Sequence, residues 1–345
     1  MERKPKIISR PRIVGGQSDS KKVENSEKVT KKANLNLSPR PVNKISEVNR
    51  RHQSPTSEKQ FSIKSASFTK VGHNPDNPNK PNQDSFFVIH NFLDLPHCHI
   101  FGVCDGHGQF GKEISEFIKD RLPFLLSNSR NFIGNPSQAI ESAALILQSE
   151  IAKKRYDTTF SGSTLNFVLI LGQKLYCANI GDSRAILGKK DKRWTAIALS
   201  TDHKPDIPEE KKRIEASGGR VEAYLGEDGK PYGPTRVWVK KSDYPGIAIS
   251  RTLGDTLANS IGVIAVPEIT EREINPADKL IVIGSDGLFE FINNEEMIRL
   301  ASLHIKNKDP NAICAYLCRM AEEKWRMEEE TVDDITCVCV LLEMD

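Results

Sequence analysis

The chain has 345 residues, 38% of them hydrophobic, and its 49 Lys/Arg against 46 Asp/Glu leave a net charge of only +3. That apolar content is sufficient for one large core or two small ones and excludes a chain that is disordered throughout. The small net charge conceals an uneven distribution: residues 1–60 hold 15 basic and 6 acidic side chains, a net of +9, so the remainder carries −6.

The first 60 residues show no apolar periodicity and are rich in Lys, Ser, Asn and Pro, with Ser38-Pro39 and Ser54-Pro55 among them. Such a segment cannot bury enough surface to offset chain entropy, so residues 1–60 are expected to be a disordered basic tail drawn to acidic partners. No apolar run reaches the roughly 18 residues of a membrane span, and no hydrophobic leader precedes the body. The seven cysteines, odd in number and scattered through apolar runs, suit a reducing compartment, cytoplasm or nucleus. Cys314, Cys318, Cys337 and Cys339 read as small buried hydrophobes rather than zinc ligands.

In the body, Ser62 to Val71 and Asp84 to Asn91 have strand character, and Ile100 to Cys104 is a short apolar run that reads as a buried strand. Apolar residues at Ile114, Phe117, Ile118, Leu122 and Leu125 recur at helical spacing. Asn135-Pro136 with Gln138 predicts the capped start of a second helix, whose face continues through Ile140, Ala143, Ala144, Leu147 and Ile151. Short strands follow at Leu165 to Leu171, Leu175 to Ile180 and Ser183 to Leu187, then a helix from Pro208 to Ser217 stopped by Gly218-Gly219. Residues 222–246, rich in Gly, Pro and charge, read as a long surface loop with a little strand around Val237. The C-terminal part reads as a strand over 279–284, helices near 294–304 and 310–328, and a closing strand from Ile335. Strand runs interrupted by paired helices predict antiparallel sheets covered by helices.

Two apolar runs end on Asp-Gly, at Asp105-Gly106 and Asp286-Gly287, and Asp333-Asp334 precedes a third. Each run delivers a carboxylate to the edge of an interior, where an uncompensated charge is costly. Carboxylates that converge at strand ends repel one another unless cations neutralise them, and hard oxygen donors favour magnesium or manganese over zinc.

The motifs Lys80-Pro81-Asn82-Gln83-Asp84-Ser85, Val103-Cys104-Asp105-Gly106-His107-Gly108, Ser161-Gly162-Ser163-Thr164, Ala178-Asn179-Ile180-Gly181-Asp182-Ser183-Arg184, Asp202-His203-Lys204-Pro205, Ser250-Arg251-Thr252-Leu253-Gly254-Asp255, Ser285-Asp286-Gly287 and Asp333-Asp334-Ile335-Thr336 occur in that order. The series resembles the metal-dependent Ser/Thr protein phosphatases of type 2C over about residues 62–343, so a phosphatase domain is expected at 61–345 behind the tail. The resemblance implies an α+β fold, a four-layer α/β/β/α sandwich of two antiparallel sheets flanked by helices, with a binuclear metal site at one end. It implies hydrolysis of phosphoserine and phosphothreonine in protein substrates by a monomer, with no specific nucleic-acid partner.

By the same resemblance, two Mg2+ or Mn2+ ions are expected, with Asp105 bridging them and Asp84, the Gly106 carbonyl, Asp286 and Asp333 as further ligands. A water shared by such a pair is acidified and aligned for displacement at phosphorus. His107 matches the family's general acid, and Asp182 is a candidate for a weaker third ion or for a pair with Arg184. Asp255 and Arg251 read as a structural charge pair. Two positions depart from many relatives: Gln83 stands where they have Glu, leaving an amide as direct or water-mediated ligand, and Asn79 stands where animal members have a phosphate-gripping Arg. Lys80 is then the nearest cation for phosphate, as a point charge without an Arg fork. These departures motivate one alternative, a catalytically impaired pseudophosphatase acting as a binding scaffold. A P-loop reading of Gly106 to Glu113 fails because Glu113 stands where Ser or Thr is needed, and a cysteine phosphatase at Cys98 fails because Cys104 occupies the required Arg position.

Overall fold

A computed structural model of the chain describes residues 61–226 and 228–344, and the tail expected at 1–60 lies outside them. The described chain begins with strands β1 (Phe61–Lys70), β2 (Asp84–Ile89) and β3 (Cys98–His107), then helices α1 (Gly111–Ser127) and α2 (Pro136–Ile151). Next come β4 (Gly162–Ser163), β5 (Leu165–Leu171), β6 (Lys174–Ile180), β7 (Arg184–Lys190), β8 (Trp194–Ala198) and α3 (Pro208–Ala216). β9 (Gly219–Leu225), β10 (Pro231–Val239), β11 (Pro245–Ile247) and β12 (Leu253–Gly254) lead into α4 (Thr256–Asn259), β13 (Glu268–Glu273) and β14 (Asp278–Gly284). The chain closes with α5 (Asp286–Phe289), α6 (Asn294–Ser302), α7 (Pro310–Glu328) and β15 (Ile335–Met344).

The continuous apolar runs noted in the sequence become strands buried on both faces, because period-two alternation sorts one run onto two cores. In β14, Leu280 and Val282 join the cluster beneath α6 and α7, whereas Ile281 and Ile283 point the other way, toward Phe101 and Val103 of β3. β15 divides likewise, with Cys337, Cys339 and Leu341 on the helix side and Val338, Val340 and Leu342 between the sheets. One five-stranded sheet runs β1-β15-β14-β7-β8, and a seven-stranded sheet runs β12-β4-β3-β5-β6-β13 with β2 paired to β3. The pairings within both are antiparallel. Helices α1 and α2 cover the second sheet through Ile114, Ile118, Leu122, Ile140 and Leu147. The result is the four-layer sandwich, and Asn135 caps α2 as its spacing implies, accepting from the Gln138 amide at 3.1 Å.

The expectation of a long surface loop over 222–246 is corrected. The segment folds as a separate antiparallel sheet of three strands, in the order β11-β10-β9. The sheet's apolar residues Val221 and Val237 pack with Ile214 of α3 and with Ala258, Ile261 and Val263, which lie outside its strands. The stabilising partners are distant in sequence, so the local composition of Gly, Pro and charge did not betray the strands. All seven cysteines are buried and unpaired, as their spacing suggested.

Candidate metal centre

Strand register builds the first part of the site. β2 and β3 pair so that Asp84 stands directly opposite Asp105, at the end of the seven-stranded sheet. The five-stranded sheet contributes Asp286, two residues beyond the Gly284–Cys337 pair that ends the β14–β15 ladder, and Asp333, two residues before β15. Ser285 ties the two sheets together here: its Oγ donates to Asp84 Oδ2 at 2.8 Å and accepts from the Thr336 amide at 3.1 Å. Asp105-Gly106 is not a turn after its strand, since β3 continues through it to His107. Gly106 is needed for close approach, because a Cβ there would stand 2.3 Å from the Gly111 carbonyl oxygen and 2.6 Å from that of Gln83.

The convergence is visible in the electrostatics. Burial raises the Asp105 carboxyl well above the usual carboxylate range, and the charges of Asp286, Asp84, Asp333 and Asp182 raise it further. Asp84 is raised by burial and by Asp334 and Asp333, against the opposing hydrogen bonds of Thr336 and Ser285. Asp286 is pushed up to about 7, first by burial and then by Asp333 and Asp182, with hydrogen bonding from Asp105 and the charge of Lys204 offsetting part of the rise. Carboxylates from both sheets therefore crowd one another, an arrangement that divalent cations relieve.

Among the described residues no three Asp, Glu, His or Cys side chains are already closed into a metal cage. The donors nevertheless fit one. Asp84 Oδ1 and Asp286 Oδ1 are buried without any hydrogen-bond partner, which is costly for a carboxylate oxygen unless a cation meets it. Oxygen donors on this scale suit magnesium or manganese.

The other sequence-predicted residues fall around this cluster. Lys80 Nζ lies 2.9 Å from Asp334 Oδ1 and 3.4 Å from Asp333 Oδ1. Burial lowers its pKa, but the two carboxylates outweigh that and raise it. Asp334 is enclosed by donors: it accepts from the Gly72 amide at 2.7 Å and the Gln83 amide at 2.9 Å as well as from Lys80. The Gln83 side chain donates from Nε2 to the Gly108 carbonyl at 2.7 Å, so its amide braces the loop after His107.

Two expected pairings are corrected. Asp182 does not pair with Arg184; its Oδ2 accepts from Lys204 Nζ at 2.5 Å, while Arg184 forks onto Asp202 at 2.9 and 2.6 Å. Asp255 does not pair with Arg251 either. Arg251 binds Glu210 at 2.8 Å, and Asp255 Oδ2 lies 2.6 Å from His107 Nε2. The energy of an ion pair depends on distance in space, which the packing of separate elements sets, so charges close in sequence are poor guides to partners. Lys204, Ser285 and Asp334 lie inside recognised motifs, a signal of their importance that the sequence carries, whereas Glu210 lies outside them and only the structure brings it to Arg251.

The sequence profile of the family described as "Protein phosphatase 2C" matches residues 71–329. "Probable protein phosphatase 2C 35" of Arabidopsis thaliana is 36% identical over 284 residues, covering 78% of this chain and 81% of the relative. "Probable protein phosphatase 2C 72" of the same plant is 33% identical over 257 residues, covering 70% and 76%. Among solved structures, the serine-threonine phosphatase 2C from Toxoplasma gondii superposes with a TM-score of 0.71 at 20% identity, covering 81% of this chain and 95% of the other, a likeness of fold. The chain belongs to the protein phosphatase 2C family and is a serine/threonine protein phosphatase.

Proposed function

We propose that residues 61–345 form a catalytic domain that removes phosphate from phosphoserine and phosphothreonine in proteins with the help of two Mg2+ or Mn2+ ions. The reading is supported above all by the facing carboxylates of Asp84, Asp105 and Asp286, two of which present buried oxygens that lack partners. Asp105, the carboxylate that feels all the others, would contact both ions; Asp84, Asp286, Asp333 and the Gly106 carbonyl would complete the set, with Asp182 beside a weaker third. When bound, such a pair supplies positive charge for the phosphate oxygens and a water acidic enough to attack phosphorus.

The chain's own residues do the rest. Ser285 orients Asp84 by donating to one of its oxygens, which leaves the other for a cation. Lys80 holds the Asp333-Asp334 corner and keeps a positive charge next to the acidic cluster. His107, two residues past Asp105 on the same strand, is the acid that gives a proton to the departing Ser or Thr oxygen. In the uncatalysed reaction that oxygen is a poor leaving group, so the proton matters most for alkyl phosphates.

Hydrolysis of a phosphothreonine peptide is expected to cease in EDTA and return with Mn2+. Asp105→Asn is expected to abolish turnover and to weaken Mn2+ binding measured by calorimetry. Without metal the same variant should melt at a higher temperature than the parent, because one of the repelling charges is gone. Undiminished turnover in EDTA, or unchanged metal binding in Asp105→Asn, overturns the proposal.

A further inference from the structure

The contact between His107 and Asp255 joins residues 148 positions apart, and several features of the chain serve to make it. Asp255 is buried, and the Oδ2 that meets His107 Nε2 at 2.6 Å also accepts from Thr252 Oγ1 at 2.9 Å. Its backbone is held in the left-handed region, φ 41°, which residues other than glycine adopt only where their surroundings insist. Those surroundings are present. The Asp255 amide donates to the Ser161 carbonyl at 2.9 Å. Gln148 of α2 clamps the preceding residue from both sides, accepting from the Gly254 amide at 2.7 Å and donating to the Gly254 carbonyl at 3.0 Å. Gly162 of β4 passes so close that a Cβ on it would lie 2.0 Å from Asp255 Oδ2. Two glycines, a clamp from a helix and a left-handed backbone thus all bring one carboxylate oxygen to one imidazole nitrogen.

We infer that Asp255 is the positioning residue for His107, fixing the plane of its ring and the nitrogen that bears its proton. A neutral imidazole carries a single N–H, and a carboxylate that accepts from Nε2 selects the tautomer with the proton there. The acid form is the imidazolium: with Nε2–H held by Asp255, its second proton is on Nδ1, and that proton is the one passed to the departing oxygen. Asp255 acts through His107, as the carboxylate of a catalytic triad acts through its histidine. The inference rests on the reading of His107 as the acid.

The test compares Asp255→Asn, His107→Ala and the double variant, in Mn2+, on a phosphothreonine peptide and on p-nitrophenyl phosphate, whose leaving group needs no proton. Asn has the shape of Asp and tolerates the left-handed backbone, so the fold should persist. Asp255→Asn is expected to lower kcat on the peptide about 10- to 100-fold at unchanged KM, to affect the aryl phosphate far less, and to add nothing in the double variant. In 15N imidazole spectra the parent should show His107 protonated at Nε2, and Asp255→Asn should lose that preference. Equal losses on both substrates in Asp255→Asn alone, additivity with His107→Ala, or an unchanged tautomer overturns the inference. If His107→Ala itself slows both substrates alike, the acid reading fails, and the spectra alone then decide whether Asp255 sets the ring. Should Asp255→Asn fold poorly, Thr252→Val, which removes the second hold on the carboxylate, is expected to give the same pattern in weaker form.

Discussion

His99 of β3 sits between the sheets, with Nδ1 3.2 Å from Nδ1 of His90 and its ring stacked on Phe101 at 6.3 Å. Burial pushes its pKa down to about 4, and the nearby His90 and His97 push in the same direction. The native state therefore keeps His99 neutral where the unfolded chain, with an ordinary His pKa near 6.5, takes up a proton. Between pH 6.5 and about 4 the unfolded state binds more protons, so stability falls as pH drops through that window. Urea titrations at pH 7.5 and pH 5 are expected to show a loss of roughly 2 kcal/mol that disappears in His99→Gln. An equally steep loss in that variant would assign the pH dependence to other groups.

At the scale of elements, Glu210 shows how a short helix is fixed to a distant loop. It is the third residue of α3, is buried, and accepts from Arg213 at 2.6 and 2.8 Å, from Arg251 at 2.8 Å and from Ser250 Oγ at 2.5 Å. Burial would raise its pKa, but these donors outweigh it and hold the carboxyl down at about 2. The pairing ties α3 to the segment that leads into β12 and then Asp255. Glu210→Gln leaves two guanidinium groups without their counterion and is expected to cost about 3 kcal/mol, read as a lower melting temperature. Because the segment also carries Asp255, the activity of that variant on phosphopeptides should fall with the fold still intact at low temperature. Helix α3 and its Gly stop are legible in the sequence, whereas the identity of the partner across 41 positions is not.

At the scale of the molecule, the first described strand already belongs to the domain. β1 is paired along its whole length with β15, from Phe61 opposite Met344 to Lys70 opposite Ile335. A cut before residue 61 thus removes no rung of that ladder, and the basic charge of residues 1–60 goes with the cut. The fragment 61–345 is expected to be soluble, to melt within a few degrees of the whole chain and to retain phosphopeptide hydrolysis; insolubility would move the domain boundary toward the N-terminus. Among the described residues no helix is long and apolar enough to cross a membrane, in keeping with the short apolar runs.

Sequence alone determined the elements whose signal is local. The apolar runs of β3, β14 and β15, the Asn135 cap and the Asp-Gly carboxylates could each be read from a few neighbouring residues, because alternation, capping and the cost of a charge at a strand end are local physics. Only the tertiary structure decided which charges meet. Lys204 rather than Arg184 reaches Asp182, Glu210 rather than Asp255 receives Arg251, and His107 finds Asp255. The strands of 219–247 likewise depended on Ile214, Ala258 and Val263 arriving from outside. Coulomb and hydrogen-bond energies act through distance in space, and the distance between two side chains far apart in sequence exists only once the sheets have closed on each other.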